Sequence, residues 1–140
     1  MRFFENIAKQ IFSQEGIPIL EGHVAYSPEE AMTISSEMGV PVVVKAQVLT
    51  GGRGKAGGVK FANNPGEALK VAEEILGMEI KGEKVKHLLI EKKAEILNEF
   101  FVTVSASYFS NTLYNFQIMS PIAEINSDGT PILRAISRAS

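Results

Sequence analysis

Hydrophobic positions recur with helical spacing in three stretches of the chain and with strand-like continuity between them. In residues 3–14, Phe4, Ile7, Ala8, Ile11 and Phe12 fall on one stripe before Gly16 and Pro18 interrupt it, which predicts an amphipathic helix. Residues 17–25 read as extended. Ser27-Pro28-Glu29-Glu30 then combines an N-cap hydroxyl, proline at the first helical position and glutamate three residues after the serine. This predicts a second helix to about Met38, ended by Gly39. Asn64-Pro65-Gly66-Glu67 repeats that chemistry and opens a third helix over 65–76, with Ala68, Leu69, Ala72, Ile75 and Leu76 inward and Gly77 as its stop.

Between the second and third helices, residues 41–48 form a nearly unbroken β-branched run, the pattern of a strand buried on both faces. A short strand over 59–62 completes a hairpin whose tip is rich in glycine and expected to be mobile. Residues 81–86 are polar and lysine-rich, and further strands are predicted over 87–91, 99–108 and 112–120. Beyond Pro121 the pattern weakens, with Asp128-Gly129 as a turn. The expected fold is α+β, a mixed or antiparallel sheet with helices packed on it, in a single domain over 1–140 without internal repeat or linker.

The hairpin tip changes the picture from architecture to chemistry. Five of the eight residues 51–58, Gly-Gly-Arg-Gly-Lys-Ala-Gly-Gly, are glycine. Glycine permits φ > 0 and lets backbone N–H groups approach a ligand closely, while Lys45, Arg53 and Lys55 bring positive charge. The arrangement suits a polyanion such as a polyphosphate; the plainer alternative is a flexible hairpin kept soluble by its charges. Lys45 lies in a run that otherwise reads as buried, so its ammonium either reaches solvent at the strand end or meets a ligand. The loop is neither a Walker A sequence nor a dinucleotide fingerprint, because a strand rather than a helix follows it.

Composition narrows the surroundings of that site. The net charge of −2 offers no global basic field for nucleic acid or membrane, so an anion site must be local. No cysteine is present, which removes disulfides, thiolate metal sites and a cysteine nucleophile. The N-terminal residues lack a continuous apolar h-region and no stretch is long enough to span a bilayer, so a cytoplasmic location is expected. Fifteen of the sixteen acidic residues are glutamate, with Asp128 the single aspartate, so no aspartate pair for Mg²⁺ is evident. Glu91, Glu95 and Glu99 recur every four residues around a strand–turn–strand junction. They form either a solubilising edge or, with Glu91 and Glu99 facing one cleft, acceptors for ribose hydroxyls or a base amino group. His23 and His87 read as ordinary surface or strand-end histidines.

Val43-Val44-Lys45-Ala46-Gln47-Val48, followed by Gly51-Gly52-Arg53-Gly54-Lys55-Ala56-Gly57-Gly58-Val59-Lys60, resembles the β subunit of succinyl-CoA synthetase. Ala8-Lys9-Gln10-Ile11-Phe12 and Gly16-Ile17-Pro18 resemble the opening of that family, and the likeness extends to about Tyr108. It implies the N-terminal portion of an ATP-grasp domain, binding ATP or GTP, with the α subunit of the CoA ligase as partner and no part for nucleic acid or membrane. Lys45 would then contact nucleotide phosphate, and Gly52, Arg53 and Gly54 would belong to the phosphate-covering loop. Glu91 and Ala94 would line the base pocket, and Glu99 would hold the base or ribose side.

The family converts succinate, CoA and nucleoside triphosphate to succinyl-CoA, diphosphate and phosphate, a tricarboxylic acid cycle step, through a phosphohistidine on the α subunit. Neither His23 nor His87 stands where that histidine would be. The family's Mg²⁺ ligands, an asparagine and an aspartate, come from the second half of the domain and have no counterpart in these 140 residues, so no catalytic or metal residue is assigned and the chain alone is expected to be inactive. Relatives specific for malate or citrate share the loop, and a non-catalytic truncated paralogue would also keep it. Leu20 stands where the family places a residue near the base and cannot hydrogen-bond guanine, which implies ATP over GTP.

Overall fold

The computed structural model describes residues 2–39, 41–96, 101–105 and 115–119. The chain divides into two compact units, Met1–Ala94 and Glu95–Ser140. In the first, the order is α1 (Glu5–Gln14), β1 (Gly22–Ala25), α2 (Pro28–Met38), β2 (Val42–Ala46), β3 (Val59–Ala62), α3 (Pro65–Ile75), β4 (Glu79–Ile80), β5 (Glu83–Lys84) and β6 (Leu88–Lys92). In the second, β7 (Phe101–Ser105) and β8 (Asn115–Met119) pair antiparallel, within the two stretches that the sequence predicts as strands.

The main sheet has the order β1-β6-β2-β3 with every neighbour antiparallel. Side chains alternate between its faces. Val42, Val44 and Ala46 of β2, Leu88 and Ile90 of β6, Ala25 and Ala62 point to one face, where they pack with Ala31 of α2 and Ala68, Ala72 and Ile75 of α3 in a fully buried apolar core. Small alanines at the helix positions let α2 and α3 lie close to the sheet and to each other. Both helices start as their sequences dictate. The Ser27 hydroxyl accepts from the Glu30 N–H at 3.2 Å and the Asn64 side chain from the Glu67 N–H at 2.8 Å, with proline in the first turn of each.

The other face carries Val43, Lys45, Leu89 and Glu91, and here α1 docks by polar contacts. None of its residues is buried, and Ile7, Ile11 and Phe12 of its apolar stripe remain 36–49% exposed among the described residues. Phe4 has no side-chain cap to offer. Instead the buried Gln47 side chain accepts from the Asn6 N–H at 3.1 Å, satisfying one of the free donors in the first turn, and donates to the carbonyls of Lys45 and Ala46. The Phe4 ring meets His87 edge-on at 4.9 Å, and Tyr26 stacks on the same imidazole at 5.6 Å. Burial lowers the His87 pKa from the ordinary 6.5, favouring the neutral ring. His87 is an aromatic wedge, in keeping with a strand-end histidine.

Two details depart from the sequence reading. The run over 41–48 is a strand only over Val42–Ala46; beyond it the Gln47 backbone N–H still donates to the His87 carbonyl at 3.2 Å while its side chain turns to α1. The polar stretch over 81–86 carries the turn and second strand of a hairpin, β4–β5, which lysine-rich composition does not reveal. Lys81 and Gly82 form its two-residue turn, both with φ > 0 (52° and 83°), as a type I′ connection requires.

The glycine-rich tip, expected to be mobile, is folded on itself. Ala56 N–H donates to the Gly52 carbonyl, Gly57 N–H to Gly54 and Gly58 N–H to Arg53, at 2.8–3.1 Å. Gly58 is forced by space: a Cβ there would lie 2.7 Å from Ile80 Cδ1, 3.1 Å from Ala46 Cβ and 3.2 Å from the Arg53 carbonyl oxygen. Ile80 is itself buried and cannot withdraw cheaply. Gly58→Ala is therefore expected to destabilise the chain by roughly 1–3 kcal/mol through overpacking, read as a lower urea midpoint.

Candidate functional site

The glycine-rich loop closes one side of a cavity of about 600 Å³, lined by residues 48–55, Val59, Phe3 and Glu5. Gly52, Arg53 and Gly54 all line it, whereas Lys45 and Glu91 are not among its lining residues. Gly52 takes φ +89° and Gly57 φ +80°, conformations that L side chains rarely adopt, which gives these glycines a backbone reason beyond the turn itself.

Lys45 and Glu91 are neighbours across the β2–β6 pairing. Val43 lies opposite Glu91 and Lys45 opposite Leu89, so the lysine and glutamate sit diagonally on one face. The Lys45 ammonium donates to Glu91 and, at 3.1 Å, to Glu5 of α1. Lys9, one turn along α1, forms an ion pair with the other Glu91 oxygen. Glu91 is 1% exposed, so its charge is tolerable only because two lysines close on it. Of the remaining candidates, Ala94 is half-buried in the segment leaving β6, and Glu99 lies outside the described residues. The arrangement of Glu91 with Glu99 rests on that position and is left as a sequence expectation.

Arg53 reaches back from the loop to the same centre. One guanidinium nitrogen lies 2.8 Å from a Glu5 oxygen and another donates to the Ala46 carbonyl at 3.0 Å. Glu5 therefore holds the strand lysine and the loop arginine on a single carboxylate, at a helix N-terminus that itself favours negative charge. Sequence reasoning assigned no role to Glu5, Lys9 or Gln47. A glutamate in the first turn of a predicted helix and a glutamine two residues beyond Lys45 were visible, but their convergence across about forty residues was not.

Burial raises the Glu5 pKa, and the charges and hydrogen bonds of Lys45 and Arg53 outweigh it, so the group ends below the ordinary 4.5. A carboxylate depressed by folding contributes stability above its unfolded pKa and loses it as pH falls through the folded value. The stability difference between the wild type and Glu5→Gln should therefore be constant above about pH 5 and shrink progressively below 4.5, measured by urea unfolding across that range.

Comparisons with known proteins bear on the family and the fold. The ATP-grasp domain family matches residues 2–112. Over 101 residues the chain is 50% identical to a succinate–CoA ligase [GDP-forming] subunit beta of Thermus thermophilus, covering 72% of this chain and 27% of that protein. Over 104 residues it is 46% identical to a succinate–CoA ligase [ADP-forming] subunit beta of Pyrobaculum aerophilum, covering 74% and 27%. The chain thus spans about a quarter of the length of the curated relatives it matches. In fold it is similar to the dinucleotide forming acetyl-coenzyme A synthetase 1 of Ca. Korarchaeum cryptofilum, solved in complex with coenzyme A and Ca-AMPCP, with a TM-score of 0.74 and 24% identity over 84% of this chain and 53% of that one. The α+β architecture, the glycine-rich hairpin and the match over residues 2–112 together place this chain in the ATP-grasp family.

Proposed function

We propose that the chain is the nucleotide-binding part of a succinate–CoA ligase β subunit and that the cavity beneath residues 51–58 receives the phosphates of a nucleoside triphosphate. The observation that carries this reading is the convergence of Lys45 and Arg53, from a strand and a loop, on the single carboxylate of Glu5 at the cavity wall. A place where two cations already meet one anion is preorganised for a phosphate, since their positioning is paid before the ligand arrives. Gly52 and Gly54 leave the backbone open to close approach. Glu91 and Ala94, with Glu99, would line the base and ribose side.

On this reading the acid is succinate, the reaction forms succinyl-CoA, nucleoside diphosphate and phosphate in the cytoplasm, and the phosphohistidine belongs to an α subunit partner. The chain alone binds nucleotide without turning over. Among the described residues no three His, Cys, Asp or Glu side chains come together. Also among the described residues, no helix is long and apolar enough to cross a membrane.

Calorimetric titration of Mg-ATP into the chain should give binding that Arg53→Gln weakens by roughly 1.5–3 kcal/mol, the scale of a charge-assisted hydrogen bond. Equal heats in the two proteins would remove Arg53 from the site. Lys45 is a poorer probe, because its loss also strips Glu91 of a partner. Leu20 lines a second cavity of about 300 Å³, together with Asn6, Lys9, Gln10 and His23, and itself brings no side-chain group to pair with guanine. Competition between the two nucleotides should favour ATP, and a clear preference for GTP would reverse the base assignment.

A further inference from the structure

The β4–β5 hairpin places a lysine at the glycine-rich loop that neither the hairpin's own fold nor the charge cluster on Glu5 and Glu91 explains. Lys81 occupies the first turn position with φ 52°, the one non-glycine residue with positive φ among those described. That conformation is unfavourable for a lysine and easy for glycine or asparagine, so the turn alone does not call for this side chain. Its ammonium comes to within 3.4 Å of where a Cβ on Gly52 would stand, directly beside the loop backbone.

The hairpin that carries it is fastened to the same loop. The Glu83 carboxylate accepts from the Leu49 N–H at 2.9 Å, the Thr50 hydroxyl donates to the Ile80 carbonyl at 3.5 Å, and the buried Ile80 side chain fills the space left by Gly58. Lys45 and Arg53 are both held by carboxylates, whereas Lys81 forms no ion pair among the described residues. It is a positive charge without a carboxylate partner among the described residues, held by a two-residue turn beside Gly52, which lines the cavity.

We infer that Lys81 is a further phosphate-binding residue, contacting the polyphosphate of the ligand beside Gly52. This rests on the reading of the loop as a nucleotide phosphate site. The chemistry it recognises is the phosphate chain and not the base, so tripolyphosphate should report it as well as ATP does.

The test is titration of the 140-residue chain with Mg-ATP and with tripolyphosphate, in the wild type and in Lys81→Gln, Lys81→Arg and Lys81→Gly, with thermal melts of each. Lys81→Gln should weaken both ligands about tenfold and flatten the dependence of affinity on ionic strength, while Lys81→Arg stays within about threefold of wild type. Lys81→Gly relieves the positive φ, so its melting temperature should match or exceed wild type while its affinity falls like that of Lys81→Gln. Wild-type affinity in Lys81→Gln or Lys81→Gly overturns the inference and leaves the nucleotide reading standing. Equal weakening in Lys81→Arg, accompanied by lower melting temperatures, would assign Lys81 to structure alone and likewise overturn it. Absence of binding in the wild type would defeat the nucleotide reading, and the inference with it.

Discussion

The burial of the Glu91 carboxylate is the constraint on which the site depends. At 1% exposure it lies on the middle of the sheet, where an unpaired negative charge would cost several kcal/mol. Lys45 from the adjacent strand and Lys9 from α1 compensate it. That requirement fixes the direction of the Lys45 side chain and draws α1 onto a face where none of its own residues is buried. Once α1 is seated, Glu5 falls between Lys45 and Arg53, and the loop arginine is tied to the sheet.

One sheet thereby serves two purposes through the twofold alternation of its strands. Val42, Val44, Leu88 and Ile90 face α2 and α3 and form a core without a charged group, which supplies stability. Val43, Lys45, Leu89 and Glu91 face the other way, where polar contacts predominate and a helix is held by Gln47 and by ion pairs. A one-residue slip in β2 would exchange these sets, placing Lys45 in the apolar core, so the packing of the helices also sets the register of the functional face.

Electrostatically the cluster is nearly balanced. Three cations, Lys9, Lys45 and Arg53, share two carboxylates, Glu5 and Glu91, which leaves one net positive charge. Such a centre holds its geometry before any anion arrives and still favours one. The loop above it is held just as firmly, by its own turn bonds and by the β4–β5 hairpin beneath Gly58. The glycines work here as conformational and steric necessities, with positive φ at Gly52 and Gly57 and close contact at Gly58, more than as sources of flexibility.

Local chemistry was legible in the sequence wherever a residue acts on near neighbours. The caps at Ser27 and Asn64, the prolines that follow them, the β-branched run of β2 and the glycine-rich connection to β3 all carry their meaning within a few positions, and the ATP-grasp family was readable from that loop. The β4–β5 hairpin was not legible, because its turn is made by a lysine in a left-handed conformation within a charged stretch whose polarity hides two-residue strands. The charge cluster was not legible either, since Glu5 and Lys45 are 40 residues apart and Lys45 and Glu91 46, and they meet only because β2 pairs with β6 and α1 lies on the same face. By itself the sequence determined the three helices and the longer strands and supplied the cations, since capping and periodicity act over one or two turns. Only the tertiary structure decided that Lys45 and Arg53 share a carboxylate and that Lys81 joins the loop, because pairing of charges depends on which strands are neighbours and on how much water their burial removes.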